Sequence, residues 1–197
     1  QGRDAAALMG QLCANEVDVA AGRLVYTQWL NERAGIESDL TVARLAENAF
    51  MVVTSAASQV RDRSWIERHI GDLNVTVSDQ TSAFAVLGVM GPNARALLGK
   101  VSNADLGTEH FPFGTFQEIE IGYAPVLAMR VTYVGELGWE LHIPVEFALH
   151  VLDTLHESGE SVGAALVGMH PMNSLRIEKA YRHWGHDITD DYTPIEA

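Results

Sequence analysis

Side chains that could bind an anion are concentrated between residues 169 and 187, in the sequence MHPMNSLRIEKAYRHWGHD. The whole chain has 13 Lys and Arg residues, and acidic residues predominate in the long stretch between His69 and Leu175. A local excess of positive charge at the end of an acidic chain indicates a binding place for an anionic group. The residues that form this basic cluster are Arg176, Lys179 and Arg182, with His170, His183 and His186 around them.

The first half of this segment has the pattern of a helix. Pro171 suits an opening turn, and apolar residues recur at helical spacing after it. On such a helix Arg176, Lys179 and His183 share one side. A solvated helix face is the simpler explanation of the same spacing.

Other chemistries have weaker support. His183, His186 and Asp187 could start a metal site, but a third aimed ligand is missing and Gly185 interrupts the pair, so no metal is predicted. The chain has no GxSxG nucleophile elbow, and its paired glycines match neither GxGxxG nor GxxxxGK[ST]. The remaining hypothesis is a bound small anion or heterocycle, held by an isolated carboxylate, the basic cluster and nearby aromatic rings.

Asp39 is the first candidate carboxylate, because it lies in an otherwise apolar strand pattern. A carboxylate on a partly buried strand face must be paired or have a perturbed pKa. Tyr133 and Glu140 flank a glycine turn, where ligand-contacting side chains are common. The alternatives are a solvent-facing Asp39, a core position for Tyr133 and an exposed Glu140.

Composition limits the classes of function. The 197 residues carry a net charge of −13, which argues against nucleic acid as a partner. There is no apolar run of the length that crosses a membrane, and the start has no secretory signal pattern. Cys13 is the only cysteine, which fits a reducing compartment. We therefore expect a cytoplasmic protein, or one of the mitochondrial matrix in a eukaryote, with no membrane partner.

The elements that must position these residues are a mixture of hairpins and helices, which predicts an α+β fold of antiparallel sheets with packed helices. Two units are expected, 1–80 and 81–197, with the glycine turn and the basic helix in the second. Residues 139–143 should place Trp139, Leu141 and Ile143 inward, and Glu140 and His142 outward. The other predicted strands include 24–30, 36–45, 49–54 (buried), 73–79, 83–91, 115–121 and 127–133, with 127, 129, 131 and 133 on one face.

Three segments together resemble the folate-binding aminomethyltransferase family, which contains the glycine-cleavage T-protein and the C-terminal halves of sarcosine and dimethylglycine dehydrogenases. They are GIESDLTVARL at 35–45, the YxGExGWEL pattern at 133–141, and NSLRIEKAYRHWGHDI at 173–188, which continues to TPIEA. The resemblance runs from about residue 17 to residue 197. RHWGHD and VRDRSWIE are more similar to the dehydrogenase branch. Two departures are Ala34-Gly35 in place of paired glycines, and Thr54-Ser55-Ala56 in place of an asparagine-containing segment.

This resemblance implies a tetrahydrofolate-binding module that forms 5,10-methylenetetrahydrofolate by one-carbon transfer. It implies that Asp39 is the catalytic base or charge stabiliser, and that Tyr133, Glu140 and Arg176 bind the folate, all four on one concavity. Glu140 would accept hydrogen bonds from the pterin N–H groups.

The resemblance also implies a fragment of a larger enzyme, without the family's small C-terminal β domain. FAD would bind only in an N-terminal domain that is missing here. The one-carbon donor would come from a flavin-dehydrogenase domain in cis or from a lipoyl carrier protein, and the isolated chain would be poorly active. The alternative is a non-catalytic folate-binding or scaffold module that retains only the fold.

Overall fold

Two antiparallel sheets, each with its own helices, organise the chain in a computed structural model that describes residues 1–197. The first unit contains residues 1–79 and 182–197, and the second contains residues 80–181. This arrangement confirms the expected α+β class of hairpin-rich antiparallel sheets with packed helices. The sequence had assigned residues 182–197 to the second unit. That the two units are separate domains stays a prediction.

The first unit is built on a three-stranded sheet in the order β1-β2-β3. The middle strand alternates as predicted, because Ile36, Leu40 and Val42 are buried while Asp39 is half-buried on the other face. The elements of this unit are α1 (Ala5–Leu12), β1 (Leu24–Leu30), β2 (Ile36–Ala46), β3 (Ala49–Val53) and α2 (Gln59–His69).

The core of the first unit lies on one face of this sheet, where α1 packs around the fully buried Trp29. The strand β3 was predicted to be wholly buried, but all of its residues are only half-buried. The physical reason is its place at the edge of the sheet, which leaves one side without a neighbouring strand. The buried residues of this core are Leu8, Met9, Leu12, Cys13, Val17, Trp29, Leu40 and Val42.

Residues 182–197 belong to the first unit because they bond to the start of β2. The Ile36 amide donates to the Tyr192 carbonyl at 2.9 Å, and Trp184 Nε1 donates to the Ile36 carbonyl at 2.8 Å. The backbone is so close here that a Cβ at Gly35 would lie 2.0 Å from the Asp190 carbonyl oxygen. Ala34 adopts the left-handed φ of 63°, which explains why paired glycines suit this turn.

The second unit is built on a four-stranded sheet in the order β4-β7-β6-β5. Strands β6 and β7 pair antiparallel, with Ala128 opposite Leu141, as the alternation predicted. The elements of this unit are β4 (Phe84–Met90), α3 (Ala94–Val101), β5 (Phe116–Ile121), β6 (Ala124–Met129), β7 (Gly138–Pro144), α4 (Ala148–Gly159) and α5 (Met169–Glu178).

One face of this second sheet forms a core with α3 and α4. Trp139, Leu141 and Ile143 are fully buried in it, as expected, together with Leu98 and Val151 from the helices. On the opposite face Met129 and His142 are also buried, while Val86, the partner of His142 on β4, is 52% exposed. His142 points away from the Trp139 core as predicted, but it is buried and not exposed to solvent.

Two predicted strands differ from the structure. Residues 73–79 form no strand, because the amides of Asn74 and Thr76 bond to the Asp4 carboxylate and the Gln1 carbonyl instead. The strand predicted at 127–133 spans 124–129, and its core-facing residues are at 124, 126 and 128. Its other face carries Pro125, which is exposed, Leu127, which is half-buried, and Met129, which is buried. No helix combines the length and apolarity that a membrane crossing needs.

Candidate functional site

Asp39 lies on the face of the first sheet that points away from its core. The opposite residue on β1 is Gln28, whose Nε2 donates to Asp39 Oδ1 at 3.0 Å. Tyr26, two residues before Gln28, shares this face and is 58% exposed. Burial raises the pKa of Asp39, and hydrogen bonds from Tyr26 and Gln28 oppose that rise. Asp39 is therefore a half-buried carboxylate with polar partners and an exposed aromatic neighbour.

A second carboxylate, Asp62 on α2, was not predicted from the sequence. It is 3% exposed and accepts hydrogen bonds from the hydroxyls of Thr54 and Ser58. These bonds hold the segment that connects β3 to α2 against the helix. This segment begins directly after Val53, which pairs with Thr41 on β2. The signal in the sequence is the spacing of Thr, Ser and Asp by four positions, which places Ser58 and Asp62 one helical turn apart.

Glu140 lies in the interior strand β7 of the second unit, opposite Gly88 on β4 and Met129 on β6. Its side chain is 28% exposed, and burial raises the pKa of its carboxyl. Gly88 has no side chain to cover the carboxylate from the β4 side. Glu140 is thus a partly desolvated acceptor among apolar neighbours, and it is less exposed than alternation predicted.

The glycine turn and the end of α5 meet within the second unit. The rings of Tyr133 and Tyr181 stack with centroids 6.5 Å apart, within the usual range for aromatic pairs. Lys179 Nζ lies 4.0 Å from Glu136 Oε1. Gly135 has a left-handed φ of 71°, which favours glycine, and a Cβ there would lie 2.3 Å from Lys179 Cγ unless the lysine side chain moved. Two of the motif segments are therefore neighbours in space.

Arg176 lies at the end of α5 but is only 3% exposed. Its Nε and Nη2 donate to Asn173 Oδ1 at 2.9 and 2.6 Å, and its Nη1 donates to the Tyr181 carbonyl at 2.8 Å. These bonds hold the residues after α5, including the tyrosine that stacks on Tyr133. The geometry makes Arg176 a positioning residue for Tyr181, whereas its direct contact with a ligand stays a prediction.

The four predicted site residues fall in different units. Tyr133, Glu140 and Arg176 lie in the second unit, and Asp39 lies in the first. Their convergence on one concavity stays a prediction.

His142 is a further polar residue that the sequence did not mark as a site residue. It lies on the Glu140 face of β7, is 2% exposed, and its Nε2 has no hydrogen-bond partner. Burial lowers the pKa of His142 from 6.5 to about 4, so the imidazole is neutral near pH 7. Its Nε2 lies 4.0 Å from Glu140 Oε2, beyond hydrogen-bond distance. Only the tertiary structure shows this burial.

The predicted basic face breaks up at the end of α5. The helix ends at Glu178, and Ala180 has a left-handed φ of 58°, so His183 does not continue the face of Arg176 and Lys179. His183 and His186 pack ring to ring at 4.4 Å, and the Asp187 carboxylate accepts from the His183 amide at 2.8 Å. No group of three metal-ligating side chains occurs in the structure.

A cavity of about 560 Å³ opens in the first unit, lined by residues 30–33, Glu37, Trp65, Arg68 and His69. Glu37 precedes Asp39 on the same face of β2, but Arg61 and Asn31 already donate to its carboxylate. None of the predicted site residues lines this cavity, so it is distinct from the predicted site.

The chain is similar in sequence to segments of several longer proteins. It is 41% identical to 4-methylaminobutanoate oxidase (formaldehyde-forming) of Paenarthrobacter nicotinovorans. It is 34% identical to the mitochondrial pyruvate dehydrogenase phosphatase regulatory subunit of Mus musculus, and 34% identical to the mitochondrial dimethylglycine dehydrogenase of Rattus norvegicus. The alignments cover 100% of this chain but only 24%, 23% and 23% of those proteins.

The fold is that of a solved aminomethyltransferase. The crystal structure of glycine cleavage system aminomethyltransferase T from Bartonella henselae superposes with a TM-score of 0.85 at 28% identity, covering 99% of this chain and 51% of that one. The family described as GCVT N-terminal domain matches residues 1–197. These findings confirm the resemblance carried by the three motif segments, and the chain belongs to the GCVT N-terminal domain family.

Proposed function

We propose that this chain is a tetrahydrofolate-binding module for one-carbon transfer that forms 5,10-methylenetetrahydrofolate. The observation that carries the proposal is the environment of its two motif carboxylates. Asp39 and Glu140 each lie half-buried on a strand, and burial raises the pKa of both. Carboxylates kept in such environments are typical of functional sites, because an ordinary surface acid would be solvated.

The residues of the second unit fit the pterin ring of a folate. Its amino and ring N–H groups are donors, and Glu140 is an acceptor with apolar neighbours such as Met129. The Tyr133–Tyr181 pair supplies aromatic surface for a flat heterocycle. Arg176 supports this surface through the Tyr181 carbonyl. The ligand would therefore be held by Glu140 and Tyr133, with Arg176 acting through Tyr181.

Asp39 is the proposed catalytic residue. Tetrahydrofolate supplies the two nitrogens that accept the one-carbon unit, N5 of the pterin ring and the neighbouring N10, and such a transfer needs a group that moves or balances a proton. A carboxyl whose pKa is raised is closer to the operating pH and is a more effective base. Gln28 orients the Asp39 carboxylate through its hydrogen bond to Oδ1.

The module would work within a longer enzyme of the sarcosine- or dimethylglycine-dehydrogenase type. The chain spans about a quarter of the length of relatives that are named as an oxidase and a dehydrogenase. A flavin-dehydrogenase domain in the same polypeptide would bind FAD and produce the one-carbon unit. A lipoyl carrier protein would be the corresponding donor in an aminomethyltransferase.

Calorimetric titration with 5-formyltetrahydrofolate, a stable reduced folate, tests the proposal. The wild-type chain should bind, and Glu140→Gln should weaken the affinity by about 10- to 100-fold, because a charged acceptor is lost. Glu118→Gln is the matched control, since Glu118 is an exposed glutamate on the edge strand of the same sheet. Absence of binding to the wild type, or equal affinity of Glu140→Gln and wild type, would contradict the proposal.

The alternative is a non-catalytic folate-binding or scaffold module. One observation favours it, namely that a 34% identical relative is named as a regulatory subunit. A transfer assay on the longer protein separates the two functions. Binding of the reduced folate without formation of the methylene product would support the alternative.

A further inference from the structure

We propose that His142 is a second polar contact for the ligand of Glu140, donating from Nε2 to a ring carbonyl that adjoins the N–H group bound by the carboxylate. This inference rests on the proposed function and specifies which edge of the heterocycle the second unit recognises. The matching chemical group is a lactam edge, with a carbonyl next to an N–H, as in the pterin ring of a folate.

The geometry places the two polar groups side by side. Glu140 and His142 are two positions apart on β7, so both project from the face opposite the Trp139 core. His142 Nε2 and Glu140 Oε2 are 4.0 Å apart, too far to bond to each other and close enough to contact adjacent atoms of one ring.

The surroundings of the pair are apolar. The strand neighbours of His142 are Val86 on β4 and Leu127 on β6, and those of Glu140 are Gly88 and Met129. The nearest acid on the next strand is Glu118, opposite Leu127, and it is exposed. Glu140 is therefore the charged neighbour of His142 on β7 itself. The apolar surface around the two polar groups suits a flat ring.

A core histidine normally has its ring nitrogens bonded, but Nε2 of His142 is buried without a partner. Such an atom destabilises the fold unless something else satisfies it. Leucine would fill the same space without that cost, so packing does not account for an imidazole here. A ligand carbonyl would satisfy the N–H, and the neutral ring has one nitrogen that can donate.

Two substitutions and a control test the inference by titration with 5-formyltetrahydrofolate. His142→Leu removes the donor and should weaken the affinity about tenfold. His142→Gln keeps an N–H donor at a similar reach and should stay within about threefold of wild type. The control is His150→Leu, because His150 on α4 also has a buried Nε2 without a partner but packs against Gly122 and Tyr123.

A spectroscopic measurement separates contact from packing. With ¹⁵N-labelled histidine, the Nε2 resonance of His142, assigned by its loss in His142→Gln, should shift when the folate is added. Wild-type binding with no such shift, or with equal affinity in His142→Leu, would overturn this inference and leave the proposed function intact. No binding by the wild type would overturn both. Weaker binding by His150→Leu than by His142→Leu would also reject it.

Discussion

At the scale of single residues, polar groups on half-buried strands account for most of the candidate chemistry. Alternation by itself predicts an exposed Glu140, whereas for Asp39 the sequence left a partly buried and a solvent-facing position open. In the structure their burial raises the pKa of each carboxyl. Two positions after Glu140 on β7, His142 is buried and its pKa is lowered to about 4. Burial among neighbouring strands thus shifts the pKa values of these side chains away from their ordinary values.

The catalytic role of Asp39 is tested by Asp39→Asn in the longer protein. Asparagine keeps the shape of the side chain and an oxygen that can accept from Gln28, so folding and most of the folate affinity should be preserved. Transfer activity should fall by about 100-fold or more, because the amide is no base. Product formation is compared with that of Asp72→Asn, an exposed aspartate in the same unit. Activity within a few-fold of wild type would make Asp39 structural.

The burial of His142 predicts a pH dependence of stability. Its pKa is about 4 in the folded chain and 6.5 when unperturbed, so the unfolded chain binds more protons between these values. Stability should therefore fall as the pH drops from about 6.5 to 4, by about 3 kcal/mol in total. In urea unfolding, His142→Leu should not show this loss of stability at low pH. The pKa of nearby Glu140 is raised, which gives the opposite slope, so the difference between the two proteins is the quantity to measure.

At the scale of elements, the end of α5 determines what Arg176 of the basic cluster contacts. The helix stops at Glu178, and the guanidinium of Arg176 bonds to Asn173 and to the Tyr181 carbonyl. Helical spacing predicted the charge of Arg176 on an exposed helix face, but the guanidinium is buried beneath the turn that follows α5. Arg176 therefore positions Tyr181 and, through it, the stacked Tyr133.

The positioning role of Arg176 predicts a loss of stability in Arg176→Lys. Lysine cannot reproduce the forked bonds to Asn173 and Tyr181, so the free energy of unfolding should fall by roughly 2 kcal/mol. Urea unfolding measures this change, with Lys179→Gln as the control because Lys179 is half exposed. Unchanged stability together with lost folate affinity would show that Arg176 contacts the ligand directly.

At the scale of the whole molecule, the chain matches only part of each of its relatives. It spans about a quarter of the length of its oxidase and dehydrogenase relatives, and about half of the aminomethyltransferase with the same fold. A transfer reaction needs a donor delivered without contact with water, because a free imine hydrolyses. In the proposed function another domain or a carrier protein makes that delivery.

The isolated chain should consequently be a poor catalyst. We expect it to bind reduced folate but to form methylenetetrahydrofolate much more slowly than the longer protein from the same reading frame. In the isolated chain the site would also be more exposed to water than in the longer protein, which would weaken the electrostatic contacts of Asp39. Product formation by both proteins, at equal concentration and with the same donor, measures the difference. Comparable rates would show that the chain is sufficient for transfer.

The sequence by itself determined the family, the α+β class and most strand positions. The strands predicted at 24–30 and 36–45 match β1 and most of β2, because residue type and alternation depend on local geometry and on which side of a strand is buried. The three motif segments led to the family that the comparisons confirm.

Only the tertiary structure decided what lies on the second face of a strand and where distant segments bond. It shows that His142 is buried although it lies on the face of β7 opposite the Trp139 core, and that residues 182–197 bond to the start of β2. It also replaces the predicted strand at 73–79 by bonds to the N-terminal segment. The physical reason is that strand order and long-range hydrogen bonds depend on partners far away in the chain, which local periodicity does not encode.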